Sequence, residues 1–431
     1  MRNAWDLDPD FLTVNHGSFG ATPRVVRDVQ RAWQDRMERQ PTRFMMHDLP
    51  GALREAADVL GRFLNAAGRD IAFVDNATTG CNAVLRSLAL QPGDEVLILS
   101  HAYGAVRNAV RFATERAGAR IKEAAMPFPQ PAEDTLVAAV TAAITPRTRL
   151  AVIDHITSGS AVVLPAARIV RACHGAGVPV LIDGAHAPGQ VDVDLTAIGA
   201  DWYTGNCHKW LCAPKGCAFL HVAPARQAEV HPVTISHGYS KGFLAEFDWT
   251  GTTDPSRFLA VTEAIAFHRH LGDAVLRARN RDLAAAGTAC LAQRLNTEAG
   301  ATGPQAAAMG TVRLPVTDAS PEHALAIRAW LLAAGTDAPV HALDGALWLR
   351  LSAYAYNQIE DYERLAGIVA ATLRGTRHEH RIHRHDPPSR SLRDQGAAAA
   401  GAGPRLHPRF RPGRRGRRLR QGARRLLLRR S

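Results

Sequence analysis

A chain of 431 residues is too long for one simple core and calls for two folded domains with room for a tail. Its 46% hydrophobic and 21% charged residues are globular values. The formal charge of +12 misleads about partners. From Arg377 to Ser431 there are 17 arginines and no lysine against Glu379, Asp386 and Asp394, a net of +14, so the rest of the chain stands at −2.

The opening Met1-Arg2-Asn3-Ala4-Trp5-Asp6 has early acids and no apolar run, which argues against a secretory signal. No stretch approaches the roughly 18 apolar residues of a membrane helix. The six cysteines (Cys81, Cys173, Cys207, Cys212, Cys217, Cys290) are scattered rather than spaced as a disulfide framework and read as reduced thiols. Cys212 and Cys217 lack a second Cys/His pair, so no metal is expected. These features place the protein in the cytoplasm, away from membranes.

In chain order, Ile71–Val74, Glu95–Leu99, Leu150–Ile153, Val178–Ile182 and Cys217–Leu220 read as buried strands. Ala105–Arg116, Glu133–Ile144 and Ala166–His174 carry helical spacing. Such alternation predicts an α/β fold with a mainly parallel sheet covered on both faces. Further on come a helical stretch from Pro255 to about Leu295, a strand at Met309–Leu314 and a helix at Glu322–Ala334. A strand at Trp348–Ser352 and a helix at Ile359–Leu373 follow, in the pattern of a smaller α+β domain. Past Gly375 the low-complexity Ala397–Ala400 and the arginines of Arg411–Arg430 predict a disordered tail. The expected division is therefore 1–45 as an N-terminal segment, 46–246 as the large domain, 247–375 as the small domain and 376–431 as the tail.

Ligands of parallel sheets bind beyond the carboxyl ends of the strands. The residues placed there are Asp75-Asn76-Ala77-Thr78-Thr79, His101-Ala102-Tyr103, Asp154-His155 and Asp183-Gly184-Ala185-His186. Lys209, one of only four lysines, stands 26 residues after Asp183 in Asn206-Cys207-His208-Lys209. An amine for a Schiff base and a carboxylate for a pyridinium nitrogen are what pyridoxal 5'-phosphate (PLP) most needs from a protein. Beside a pyridine nitrogen, Asp183 would keep the ring protonated and electron-withdrawing. His186 is either a partner of the cofactor's phenolic oxygen or a hydrogen-bonded core histidine. Asn76–Gly80 links a strand to a helix beginning near Asn82 and is either a phosphate cradle or a plain N-cap. Tyr103 either stacks on a flat cofactor or is a surface aromatic. Arg350, inside the apolar strand Leu347-Trp348-Leu349, needs an anionic partner and could fork onto a substrate carboxylate.

These segments resemble the class V aminotransferase superfamily of fold-type I PLP enzymes, in its isopenicillin N epimerase-like branch. The matching stretches are Asn15-His16-Gly17-Ser18-Phe19-Gly20, Asn76–Gly80, Asp183–Gly189, His208-Lys209-Trp210-Leu211, Trp249–Asp254 and Arg350-Leu351-Ser352-Ala353, across about residues 10 to 373. The resemblance implies an internal aldimine at Lys209, Asp183 on the ring nitrogen and His186 near the phenolic oxygen. It implies a phosphate held by Thr78, Asn206 and His208 and covered ring atoms under Tyr103. It further implies a homodimer in which Gly251 and Thr252 reach the partner's phosphate, and a substrate pocket lined by Asn15, His16, Gly17 and Arg350. An amino acid would displace Lys209, whose freed amine becomes the base at the α-carbon.

Epimerisation, transamination and β-elimination from a cysteine-derived substrate all remain open at this stage. The epimerase-like name is preferred, with carbon–sulfur lysis as the alternative. A persulfide-forming desulfurase is not expected, because no cysteine follows Cys290 to serve as its small-domain nucleophile. Binding of nucleic acid through the arginine run is the alternative from another class. It is disfavoured because the tail has only Phe410 as an aromatic and the body carries no excess of positive charge.

Overall fold

Seven strands form the larger sheet: β1 (Ile71–Val74), β2 (Glu95–Leu99), β3 (Arg120–Ala124), β4 (Thr148–Asp154), β5 (Val180–Asp183), β6 (Trp202–Asn206) and β7 (Ala218–Val222). Their order is β1-β7-β6-β5-β4-β2-β3. From β6 to β3 every pairing is parallel, and β7 runs antiparallel to both its neighbours. The computed structural model describes residues 1–382.

Side-chain alternation puts an apolar layer on each face of this sheet. Ile71, Phe73, Leu97, Leu99, Ile153 and Ile182 belong to one layer. Ala72, Val74, Val96, Ile98, Val152 and Leu181 belong to the other. Both faces are covered by helices such as Ala77–Ser87, Gly104–Ala117 and Ala166–Gly175, which is why the central strands read as unbroken apolar runs.

Two strands of this sheet escape a periodicity reading. β3 is an edge strand with only Ala124 buried, so its sequence looks like exposed loop. β6 is fully buried but reads Trp-Tyr-Thr-Gly-Asn, a polar string whose burial comes from its neighbours β5 and β7.

A second sheet, ordered β8-β10-β9, comprises β8 (Met309–Arg313), β9 (Val340–Leu343) and β10 (Ala346–Ser352), all antiparallel. The N-terminal segment is stitched to it. Leu12 N–H donates to Gly335 O at 2.8 Å and Ser352 N–H to Val14 O at 2.8 Å. Leu12 and Val14 accordingly sit in the same buried cluster as Leu349, Leu351 and Tyr362.

The helical stretch expected over 255–295 is three helices, Ser256–Leu259, Val261–His270 and Ala274–Leu295. Gly272 at φ +94° and Asp273 at φ +40° break it, in a backbone region helices cannot use. The last helix, Ile359–Ile382, continues past Gly375, since one glycine costs a helix only about 1 kcal/mol. Residues 1–380 form one compact unit. The expected disorder of the arginine-rich tail, and its nucleic-acid alternative, lie from residue 383 onward outside the described residues. Among the described residues, no helix is long and apolar enough to cross a membrane.

Candidate active site

The parallel strands end in polar residues that converge on one cavity of about 370 Å³. Asp154 closes β4, Asp183 closes β5 and Asn206 closes β6, with His208 and Lys209 on the turn that follows. Tyr103 enters after β2, and Asn76 and Ala77 after β1. All of these residues line the cavity, together with Thr78, His186, Ser18, Phe19 and Ser158.

Lys209 Nζ lies 3.2 Å from His186 Nε2. Burial, then the charge of Arg350, pulls the Lys209 amine down to about 7, against the attraction of Asp183. At neutral pH a large share of this amine is therefore uncharged and nucleophilic. Burial, then the charges of Lys209 and Arg350, holds His186 well below the usual imidazole range, so its ring is neutral.

Asp183 accepts the Ala185 N–H at 3.0 Å. Asp154 stands opposite it in the parallel register. Burial raises both carboxyls, and the like charge of Asp183 raises Asp154 further.

At the other end of the cavity, Asn76 caps the helix Ala77–Ser87 by accepting the Thr79 N–H at 2.9 Å. Asn206 Oδ1 accepts the Ala77 N–H at 2.8 Å. His208 Nδ1 donates to Cys217 O at 2.9 Å, which leaves Nε2 for the cavity. Burial brings His208 down to about 4.

These donor groups fit PLP. A carboxylate and an amine face a helix N-terminus across a cavity that an aromatic residue, Tyr103, borders. His186 Nδ1 is buried with no hydrogen-bond partner, a position suited to a cofactor oxygen.

His16, Gly17, Thr79, Asn15 and Arg350 do not line this cavity, and Gly251 and Thr252, expected at a partner's phosphate, lie outside it in the single chain. His16 and Gly17 are buried behind the cavity rather than lining it. Both His16 ring nitrogens are engaged, with Tyr356 Oη at 2.9 Å and Lys209 O at 3.0 Å. The Gly17 N–H donates to Ser352 Oγ at 3.3 Å. Gly251 and Thr252 line a separate cavity of about 220 Å³, on the outer side of the same helix start with Asp75 and Thr79. Thr79 is turned there because its N–H and hydroxyl both serve Asn76 Oδ1.

Arg350 and Asn15 lie just behind the cavity wall formed by Ser18 and Ser158. The Arg350 guanidinium is 2% exposed and donates to Ser158 O (2.6 Å), Ser158 Oγ (3.2 Å), Asn15 Oδ1 (3.1 Å) and Ser18 Oγ (3.0 Å). All these acceptors are neutral, and Nε has no partner. Burial, then the charge of Arg328, lowers Arg350 to about 10 against the attraction of Asp337, so it keeps its charge at neutral pH with no carboxylate hydrogen-bonded to it. Asn15 is oriented in turn by Asp337, which accepts its amide at 2.6 Å.

A family model described as aminotransferase class-V matches residues 20–365. The chain belongs to the class-V aminotransferase family. Among characterised sequences it is similar to a probable chloroplastic L-cysteine desulfhydrase of Arabidopsis thaliana. The two are 33% identical over 398 residues, 85% of this chain and 84% of the relative. Isopenicillin N epimerase of Streptomyces clavuligerus is 32% identical over 400 residues, 85% of this chain and 96% of the relative. Among solved structures, a C-DES mutant with glycine covalently linked to the PLP cofactor matches with a TM-score of 0.73. It is 22% identical and covers 86% of this chain and 99% of its own, a likeness of fold.

Within this class-V aminotransferase, six cavity residues had no role assigned from the sequence: Ser18, Phe19, Asp154, Ile156, Ser158 and Ala185. Asp154 was legible as a strand-end acid. Ser18 and Phe19 lie in the matching Asn15–Gly20 stretch, whereas Ser158 carries no signal of its own, because only tertiary packing brings its loop to the strand ends.

Proposed function

We propose that this class-V aminotransferase is a PLP-dependent enzyme that removes the α-proton of an amino acid and returns it on the opposite face, an isopenicillin N epimerase-like reaction. The observation that carries the reading is the buried Lys209 amine, drawn down to about 7 and set between His186 and Asp183 at the sheet's ligand edge. When bound, PLP supplies a protonated ring that withdraws electrons from the substrate's α-carbon. Asp183 would hold the proton on the ring nitrogen. Lys209 anchors the cofactor and then takes the α-proton. Arg350 holds the substrate's carboxylate and thereby fixes which bond faces Lys209. Thr78, Asn206 and His208 hold the phosphate.

Carbon–sulfur lysis of a cysteine-derived substrate is the second reading, favoured by the similarity to the Arabidopsis desulfhydrase. None of the six cysteines lines the cavity. Sulfur would therefore leave with the product rather than pass to an enzyme thiol.

The reading includes a homodimer in which Gly251 and Thr252 reach the partner's phosphate site. Phe19 and Tyr103 border the cavity yet are 66% and 46% exposed in one chain, as residues covered by a second copy would be. It also includes a cytoplasmic location, supported by six free thiols, and a cofactor-holding region at 46–246 with a small domain at 247–375.

The test is to incubate PLP-loaded protein with a panel of L- and D-amino acids in deuterated water and follow the α-proton and products by NMR. Exchange with both enantiomers appearing, without keto acid, supports epimerisation. Pyruvate, ammonia and released sulfur establish the lyase. Keto acid alone makes it a transaminase, and no exchange across a broad panel removes the reading.

A further inference from the structure

His16 and Tyr354 lie far apart in sequence yet stack face to face, with ring centroids 3.9 Å apart and planes 2° from parallel. Each reaches one of two consecutive carbonyls on the Lys209 turn. His16 Nε2 is 3.0 Å from Lys209 O, and the Tyr354 hydroxyl donates to Trp210 O at 3.1 Å. A carbonyl only accepts, so His16 carries its proton on Nε2 and Nδ1 must accept the Tyr356 hydroxyl at 2.9 Å. Burial drives His16 down to about 3, so this tautomer stays neutral at physiological pH.

The same turn is enclosed on its other sides by glycines. A Cβ on Gly20 would come within 2.2 Å of His208 O and 2.7 Å of Lys209 O, and Gly20 has φ +65°. A Cβ on Gly189 would come within 2.7 Å of Trp210 O. Hence the backbone of 208–210 is gripped by the N-terminal turn, by the chain after β10 and by the turn after Asp183. Trp5 packs edge-on against Tyr354 and Tyr356 and closes the cluster.

We propose that the stacked His16–Tyr354 pair is a positioning clamp for the Lys209 turn, holding the carbonyls of Lys209 and Trp210 so that Lys209 Nζ stays beside His186 and Asp183. Neither residue touches substrate or cofactor; both act through the Lys209 backbone. The clamp rests on the PLP reading for its catalytic consequence, but its effect on the Lys209 amine does not. It also gives the Asn15–Gly20 motif a purpose other than lining the substrate pocket.

The test uses full-length His16→Leu, His16→Gln and Tyr354→Phe proteins. Gln can still donate an N–H to the Lys209 carbonyl, and Phe keeps the stack but loses the hydroxyl. In PLP-free protein, the pH dependence of Lys209 acylation by a small amine-reactive reagent is read by peptide mass spectrometry. The groups around Nζ that set its midpoint are His186, Asp183 and Arg350. Losing a carbonyl contact should loosen the turn, admit water and raise the midpoint by about one pH unit in His16→Leu and Tyr354→Phe. In PLP-loaded protein, kcat should fall roughly 10- to 100-fold while KM changes little, as misplacement of a reacting group predicts. His16→Gln should restore most of both. If His16→Leu fails to fold, Tyr354→Phe and His16→Gln decide the matter. Wild-type midpoint and kcat in folded His16→Leu or Tyr354→Phe overturn the clamp. Shifted midpoints in protein that never acquires visible absorption with PLP would sustain the clamp and defeat the cofactor reading.

Discussion

Lys209 Nζ and His186 Nε2 stand 3.2 Å apart, the imidazole buried and the lysine half-buried. The charge of Lys209 helps keep His186 neutral in addition to burial, whereas Lys209 itself is lowered by burial and by the charge of Arg350. The sequence separates them by 23 residues; the fold places them on the turns after β5 and β6, which are neighbours in the sheet.

The first consequence concerns pH. The Lys209 amine loses its proton near 7 rather than at its ordinary 10.5, so it is nucleophilic above about pH 7. The rate at which PLP-free protein takes up PLP should therefore rise through pH 7 and flatten by about pH 8, as a midpoint near 7 requires. Stopped-flow absorbance measures it. A rate still climbing between pH 9 and 10 would show a lysine that is not desolvated. Lys209→Ala should abolish the uptake at every pH.

Arg350 is a buried cation whose hydrogen bonds all go to neutral oxygens. Such a group gains most from an incoming carboxylate. Arg350→Lys keeps the charge but loses the planar fork, and should raise KM for the amino acid roughly 10- to 100-fold. The corresponding amine without a carboxylate should react equally poorly with both proteins. Equal KM values for the amino acid would place the carboxylate elsewhere.

Sulfur chemistry, if present, should not depend on any enzyme thiol. Cys290 is the one cysteine not buried, and it lies away from the cavity. Burial raises the thiols of Cys81, Cys173, Cys207 and Cys212 well above ordinary values, which suppresses their nucleophilicity. Cys290→Ser should turn over at the wild-type rate, and intact-mass spectra during turnover should show no added sulfur. A persulfide on any cysteine would restore the desulfurase mechanism.

His155 provides a stability test. Burial holds it at about 4 against an ordinary 6.5, with Nδ1 paired to the Tyr203 hydroxyl at 2.8 Å. Between those values the unfolded chain binds a proton that the folded chain does not. Stability from this group therefore falls as pH drops through 6.5 and levels off below 4, by about 2 kcal/mol at pH 5. Buried acids such as Asp154 and Asp248 act with the opposite sign, but they are common to wild type and variant. The urea midpoint should drop less between pH 7 and pH 5 in His155→Gln than in wild type. Equal drops would mean that His155 is solvated.

The sheet's central strands were legible because burial on both faces makes their sequences almost wholly apolar, as in Glu95–Leu99 and Val180–Asp183. β3 and β6 were not, since one is an exposed edge and the other a buried but polar string. At the site, strand-end position singled out Asp183 and His186 before any coordinates, the scarcity of lysine singled out Lys209, and the family resemblance added Asn206 and His208. His16 is the instructive contrast. Its motif is conspicuous in the sequence, but whether a histidine points into a cavity or grips a backbone behind it depends on contacts across 193 residues.

The sequence by itself determined the chemistry on offer: a scarce lysine, and a strand-end aspartate that an alternation of apolar runs puts at the sheet edge. Local pattern is enough for that, because side-chain period and strand ends are set by neighbours along the chain. Tertiary structure alone decided the state of those groups. Burial and the charge of Arg350 bring Lys209 to about 7, burial and Asp183 raise the Asp154 carboxyl, and a stacked pair from two distant segments fixes the Lys209 turn. Desolvation and charge act through space, and space is filled by residues that the sequence keeps far apart.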